Sequence, residues 1–425
     1  MSVRVCFSPS QLTHLDIDNA RTALFNWLFA RQYGGAFVLR GRVESELDAL
    51  CTELRWLGLD WDEQPILQSE RLALYQAYAR QLVDQGQAHH NDAQSTTAES
   101  AISLKISHNG QIHINDLVLR EFDSALNDPF PIDLDGHPSP LFADVVDDHL
   151  SEVTHVIRSV DDLPDVPYRL QLYEALGWTP PQFAHLPSIA DHRDTPLHVF
   201  RSEGYFPPAL VNALALLGWS PKGKRRVWSL DKLVAQFDIR RISRHPATFD
   251  RDALDWFNRR YLSQFDAETL AEMFIPRWQD AFGVAHRADG TGLSPVKWQR
   301  LVTAAIRDET HYLAQAVDLA RPFFADQFPV QADAVETLAQ PYAPDVLRAF
   351  VDGLSTLEPF AYDPLDRLVT ALRYQFKNSH GIRSRDSMFV VRAALTGQLG
   401  GPCLIEACLL LGRTRCIERA QAALQ

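Results

Sequence analysis

At 425 residues the chain exceeds what one hydrophobic core usually supports, so roughly two to four domains are expected. A composition of 46% hydrophobic and 22% charged residues excludes a disordered chain, and a formal charge of -13 excludes a surface that clings to nucleic acid everywhere while permitting a local basic face. No run of about 18 uncharged apolar residues occurs and the start MSVRVCFSPSQL leads into a polar, acidic stretch, so no membrane span or signal peptide is read and a cytoplasmic location is expected. Cys6, Cys51, Cys403, Cys408 and Cys416 are odd in number and lack CxxC spacing, which points to thiols, mostly buried, rather than disulfides or a structural zinc site.

The chain opens with the alternating, β-rich Val3-Arg4-Val5-Cys6-Phe7, a Ser-Pro-Ser loop and a helix over 19–32. A second strand is expected over 36–40 after Gly34-Gly35, and a helix over 45–57 carries Leu47, Leu50, Leu54 and Leu57 on one face. This β-α-β-α order predicts a parallel sheet with crossover helices. Another helix is read over 69–85, followed by a polar loop over 86–107. Strand-like runs at 112–119 and 141–146 bracket a Pro-, Asp- and Gly-rich loop; a helix over 164–178 ends at Gly177, and 183–189 is a short buried strand or turn. Beyond about Pro187 helical periodicity takes over, at 209–217, 230–237, 269–273, 298–317 and 344–354, with a strand-like run at 389–393.

Seven segments carry a recognisable pattern. They are ARTALFNWL at 20–28, RWLGLDWDE at 55–63, VVDDHL at 145–150, THVIR at 154–158, LYEALGW at 172–178, EGY at 203–205 running on to ALALLGWSP at 213–221, and VRAALTG at 391–397. Together they resemble the bacterial glutamyl-tRNA synthetases, class I aminoacyl-tRNA synthetases, along nearly the whole chain. The resemblance implies an α/β, Rossmann-like parallel-sheet catalytic-type domain at 1–85 and 108–186, with a shortened connective insertion at 86–107. An α-helical stem-contact-like domain at 187–260 and an α-helical anticodon-binding-like domain at 261–425 would follow.

The same resemblance locates departures from the family. Where the family has its HIGH-type motif this chain reads Leu15-Asp16-Ile17-Asp18-Asn19. A helix N-terminus is a natural phosphate site, but here two carboxylates and an amide act as caps, and His14 is the one imidazole that could substitute. The KMSKS-type lysine loop should precede Glu203-Gly204-Tyr205, yet Ser188–Phe200 holds no lysine, and Arg193 stands among aspartates. In the amino-acid pocket Cys6 replaces an arginine, Arg42 a glutamate and Pro140 an aromatic residue, with Leu141 beside it. Arg158 alone stays in register, as a partner for a substrate carboxylate or as a structural ion pair with Asp161 and Asp162. Asp147-Asp148-His149 admits sheet-end hydrogen bonding, acid–base or metal chemistry, and no metal is assigned.

Eleven cations (Lys222, Lys224, Arg225, Arg226, Lys232, Arg240, Arg241, Arg244, Arg251, Arg259 and Arg260) face five carboxylates within 222–260, which suits tRNA phosphates or a solvated face. A second basic loop holds Lys377, His380, Arg383 and Arg385. Three functions follow: a catalytically degenerate synthetase paralogue binding tRNA, with glutamate tRNA as a candidate, or a protein partner; an enzyme with altered chemistry at Cys6, Asp16, Asp18, Arg42, Arg158 and His149; or a pure interaction module. A monomer without cofactors is expected, with ATP and magnesium only if the family activity survives.

Overall fold

The computed structural model describes residues 2–9, 14–90, 102–105, 111–126, 130–134, 137–223, 227–284, 286–287 and 291–425. Its first part alternates as the sequence predicts: β1 (Arg4–Phe7), α1 (Ile17–Gln32), β2 (Ala36–Gly41), α2 (Glu44–Leu57), the short β3 (Ile66–Leu67) and α3 (Leu72–Asp84). In α2 the buried residues Leu50, Cys51, Leu54 and Leu57 form one stripe, and Gly58 stops the helix at φ 80, a left-handed conformation that a Cβ disfavours. α1 is buried on nearly every side, from Ile17 to Ala30, because it packs on β1 and β2 and is covered from behind by later helices.

Next come β4 (Ala88–His90), β5 (Ile102–Leu104), β6 (Gln111–Asp116), β7 (Arg120–Ala125), β8 (Phe130–Leu134), β9 (His137–Pro138) and α4 (Pro140–Leu150). Two sequence expectations are corrected here. The segment 86–107 is not only loop: it supplies β4 and β5 to a four-stranded antiparallel sheet, β4-β5-β8-β9, whose Ala88, Ile102 and Leu104 join a core with Tyr75 and Phe142. The expected strand at 141–146 is helical. Ser139 caps it by accepting the Phe142 N–H at 3.3 Å, Pro140 supplies a preset first-turn φ, and burial on most sides, the aspartates included, leaves no polar face to reveal the helical period.

The chain continues through β10 (His155–Ser159), α5 (Val166–Ala175), β11 (Gln182–Leu186), β12 (Ile189–Ala190), α6 (Leu197–Glu203), α7 (Pro207–Ala215), α8 (Leu230–Gln236), β13 (Ala247–Thr248) and α9 (Arg251–Leu262). The main sheet has seven strands in the order β3-β2-β1-β10-β11-β6-β7, all neighbours parallel except the β6-β7 hairpin. The order reverses between β1 and β10, which makes the carboxyl ends of these two strands the expected ligand crevice. Helices α7 and α8 are the cover over α1.

The chain divides into two compact units, Met1–Arg201 with Phe206–Phe257, and Ser202–Tyr205 with Asn258–Gln425. The second is helical: α10 (Ala267–Phe282), α11 (Pro295–Ile306), α12 (Gln315–Phe324), α13 (Ala332–Leu338), α14 (Ala343–Thr356), α15 (Tyr362–His380), α16 (Ser384–Thr396) and α17 (Leu404–Ala422). The single helix expected over 298–317 is broken at 307–314, and the strand-like 389–393 lies inside α16. Trp278 and Trp298, both fully buried, meet Phe324 and donate their indole N–H groups to the carbonyls of Ala316 and Leu410, each at 3.1 Å.

Candidate functional site

The crevice at the ends of β1 and β10 is lined by Cys6, Asp18, Asn19, Arg158, Asp161 and Arg193, among others, around a cavity of about 90 Å³. Small-molecule sites usually begin near about 300 Å³. Two sets of contacts fill it.

The first set closes the N-terminus of α1. Three backbone N–H groups that a phosphate would need are already bonded: Ile17 donates to the Thr195 carbonyl and Asp18 to the Arg193 carbonyl, each at 3.2 Å, and Asn19 donates to Asp16 Oδ1 at 2.8 Å. The acceptors Thr195 and Arg193 belong to the segment standing where the lysine loop was expected. That segment is held by a bridge between Asp16 and Pro196 and by the Leu197 N–H donating to Leu15 at 2.8 Å. Asp191 and His192, at φ 56 and φ 54, turn it sharply in a left-handed conformation that side chains resist. Arg193 pairs with Asp161 and lies 3.8 Å from Asp18 and 3.5 Å from Asp194, so its charge is spent on carboxylates. Asp18 is buried and also takes Arg21 at 2.8 Å, while burial raises the pKa of Asp16 against the hydrogen bonds from Asn19. This arrangement does not fit a polyphosphate with magnesium: the donors are used and the Asp18 carboxylate lines the cavity.

The second set fills the amino-acid side. Arg158 is in the cleft wall, but its guanidinium meets Asp144 at 2.6 Å and Asp162 at 3.7 Å. Asp144 also receives Arg40 at 3.0 Å and Arg169 at 3.2 Å, and Arg40 reaches Asp148 at 2.7 Å. Burial alone would raise the Asp144 pKa; the three guanidiniums outweigh it and hold the carboxyl well below the usual range. Sequence reasoning missed Arg40, Asp144 and Arg169, although a charged residue ending the apolar run of β2 is a signal for a buried ion pair.

Arg42 is not in the cleft. It forms an i,i+4 pair with Glu46 at 3.1 Å and is partly exposed, a correction to its expected place in the pocket that follows from the start of α2 one residue after Val43. Cys6 does line the crevice, but its thiol is buried and its pKa is pushed up to about 12 by burial, with the Arg40 charge only partly opposing. Asp147-Asp148-His149 lies on α4, not at a sheet end. Asp147 accepts from Tyr75 at 2.8 Å and Gln68 at 3.1 Å, Asp148 pairs with Arg40 at 2.7 Å, and the His149 ring stacks on Trp178 at 3.8 Å.

Of the basic residues, Lys222, Arg240 and Arg241 border one shallow depression with Gln32 and Tyr33. Arg241 donates to the Ser220 carbonyl at 2.7 Å, and Arg240 and Arg244 are exposed. Lys224, Arg225 and Arg226 lie outside the described residues. Arg259 and Arg260 are exposed near the end of α9 and belong to the second unit, so the 222–260 stretch is divided between the two units. No helix among the described residues is long and apolar enough to cross a membrane.

Comparison with known proteins agrees with this architecture. The class I tRNA synthetase (E and Q) catalytic domain matches residues 2–100 and 89–256, and an anticodon binding domain matches 263–424. A glutamate–tRNA ligase of Geobacillus thermodenitrificans is 34% identical across 100% of this chain and 99% of its own length, and that of Bacillus subtilis is 31% identical across 98% of each. The Geobacillus alignment runs over 490 positions against 425 residues here, so that relative carries stretches without a counterpart in this chain. Among solved structures, a glutamate tRNA ligase from Elizabethkingia meningosepticum in complex with its amino acid matches at a TM-score of 0.75 and 24% identity, over 100% of this chain and 99% of that one. The glutamate-tRNA synthetase of Elizabethkingia anophelis matches at 0.76 and 23%, over the full length of both. The chain belongs to the glutamate–tRNA ligase family of class I tRNA synthetases.

Proposed function

We propose that this family member no longer forms glutamyl adenylate and works by holding tRNA. The observation that carries the reading is the capped start of α1: the N–H groups of Ile17, Asp18 and Asn19 are bonded to Thr195, Arg193 and Asp16. Adenylate formation needs donors aimed at charge developing on a phosphate, and these are committed elsewhere. The occupation of Arg158 by Asp144 supports the same reading, since the substrate carboxylate would compete with a carboxylate already in place. For tRNA, the support is the surviving anticodon-domain match and the basic residues Lys222, Arg240, Arg241, Arg244, Arg259 and Arg260. In this reading 187–260 lies along the stem and 261–425 receives the anticodon. The test is retention of total tRNA by the purified chain across a salt series, with sequencing of the bound fraction. Enrichment of glutamate tRNA that weakens steeply with salt is the expected outcome; no retention even at low salt refutes tRNA holding.

A further inference from the structure

Away from the amino-acid side of the cleft, three metal-ligating side chains from three different elements converge. His14 precedes α1, Glu53 is on α2 and His198 is on α6; one ligand atom of each lies within 4.8 Å of the others. We propose that His14, Glu53 and His198 bind one divalent transition-metal ion, zinc by ligand chemistry, and that the ion fastens the 188–200 segment over the start of α1.

Backbone register explains the meeting of the two imidazoles. Asp16 bridges Pro196 in antiparallel sense, so two residues back on one side and two forward on the other, His14 stands opposite His198 on the same face. Their ring centroids are 4.5 Å apart with planes tilted by 59°. The Glu53 carboxylate is held in place from outside the cluster, because its Oε2 accepts the Leu15 N–H at 2.7 Å. Neither imidazole has a hydrogen-bond partner among the described residues, so a ring nitrogen of each is available as a lone-pair donor. Arg201 and Asp16 also act on Glu53, with opposite signs of charge.

The donor set discriminates among ions. Two imidazoles and one carboxylate suit zinc, nickel, cobalt or copper and leave an open position for water, whereas calcium and magnesium require mainly oxygen donors. Metal–ligand bonds near about 2.0–2.2 Å would draw the three donor atoms somewhat closer than they stand, a movement open to the exposed imidazoles against the partly buried Glu53. The site does not depend on tRNA holding, and its test is run without RNA.

The experiment uses the full chain, stripped with EDTA and titrated with zinc by calorimetry and with cobalt by visible absorption. One equivalent of zinc, a rise in Tm on loading and cobalt bands of low coordination number are expected. His14→Ala and His198→Ala should each weaken binding by at least tenfold. Zinc-edge X-ray absorption on the wild-type chain should show nitrogen and oxygen neighbours only, which keeps the proposal testable if a variant fails to fold. It is overturned by no stoichiometric binding to the wild-type chain, by equal binding to the His14→Ala/His198→Ala double variant, or by a sulfur neighbour, which would move the metal to the exposed thiol of Cys403.

Discussion

The Arg158 guanidinium and the Asp144 carboxylate meet at 2.6 Å, and both partners come from the chain itself. Arg40 and Arg169 complete a ring of three cations around that one buried carboxylate. An internal carboxylate thus holds the guanidinium that the proposed reading assigns to a substrate carboxylate. At the start of α1, too, the chain supplies its own acceptors, the carbonyls of Thr195 and Arg193, for the Ile17 and Asp18 N–H groups.

Replacing Asp144 by Asn should destabilise the chain by about 3–5 kcal/mol at neutral pH, since Arg40, Arg158 and Arg169 lose their shared counterion. The Arg42→Ala exchange, at a partly exposed pair, should cost within about 1 kcal/mol. Because the folded Asp144 pKa lies below its unfolded value near about 3.9, the stabilisation is complete above that pH and is lost as pH falls through the folded value. The gap between wild type and Asp144→Asn should therefore be constant down to about pH 4 and narrow below it, as read by denaturant midpoints.

Asp16→Ala should remove the cap on Asn19 and cost about 1 kcal/mol in thermal unfolding. It should not create ATP binding, because the Ile17 and Asp18 N–H groups stay bonded to Thr195 and Arg193. Calorimetry with ATP and magnesium checks this, and micromolar binding by the variant would show that Asp16 alone had blocked the site.

Of the five cysteines only Cys403 is exposed. Titration of the native chain with an aromatic disulfide at pH 8 should give one fast thiol and four that react only on unfolding. A fast Cys6 would reopen the reading of an altered enzyme built on that residue, and the high pKa from its burial argues the other way.

Charge removal at Lys222, Arg240 and Arg244 should weaken tRNA retention and flatten its dependence on salt. Each lost phosphate contact lowers the slope of log affinity against log salt by about 1. Filter binding of the triple alanine variant over a salt series reads this; an unchanged slope assigns the depression beside Tyr33 to solvent.

The legible parts of the sequence were those where one face of an element is buried, as with the leucine stripe of α2. Periodicity fails for α4 because Leu141, Phe142, Val145 and Val146 share their burial with Asp144, Asp147 and Asp148, leaving no polar face to mark the turn of the helix. Phe389–Ala393 was misread for a related reason, since Val390, Val391, Ala393 and Ala394 are all buried inside α16 and only Arg392 interrupts the apolar residues. At the candidate site, the residues Asp16, Asp18 and Arg193 could be singled out from the sequence, but their partners Asn19, Arg21 and Asp161 could not. Arg40 on β2 with Asp144 on α4, and His14 with His198 beside the Asp16–Pro196 bridge, are separated by long stretches of chain and meet only in the folded structure.

The most direct measurement is glutamate-dependent exchange of pyrophosphate into ATP by the purified chain, with and without glutamate tRNA, beside an active family member as control. Exchange at the level of a blank without protein is the expected result. Exchange that requires glutamate and follows saturation in ATP would contradict the loss of adenylate formation, because it would require the start of α1 to release Thr195 and Arg193 and accept a phosphate.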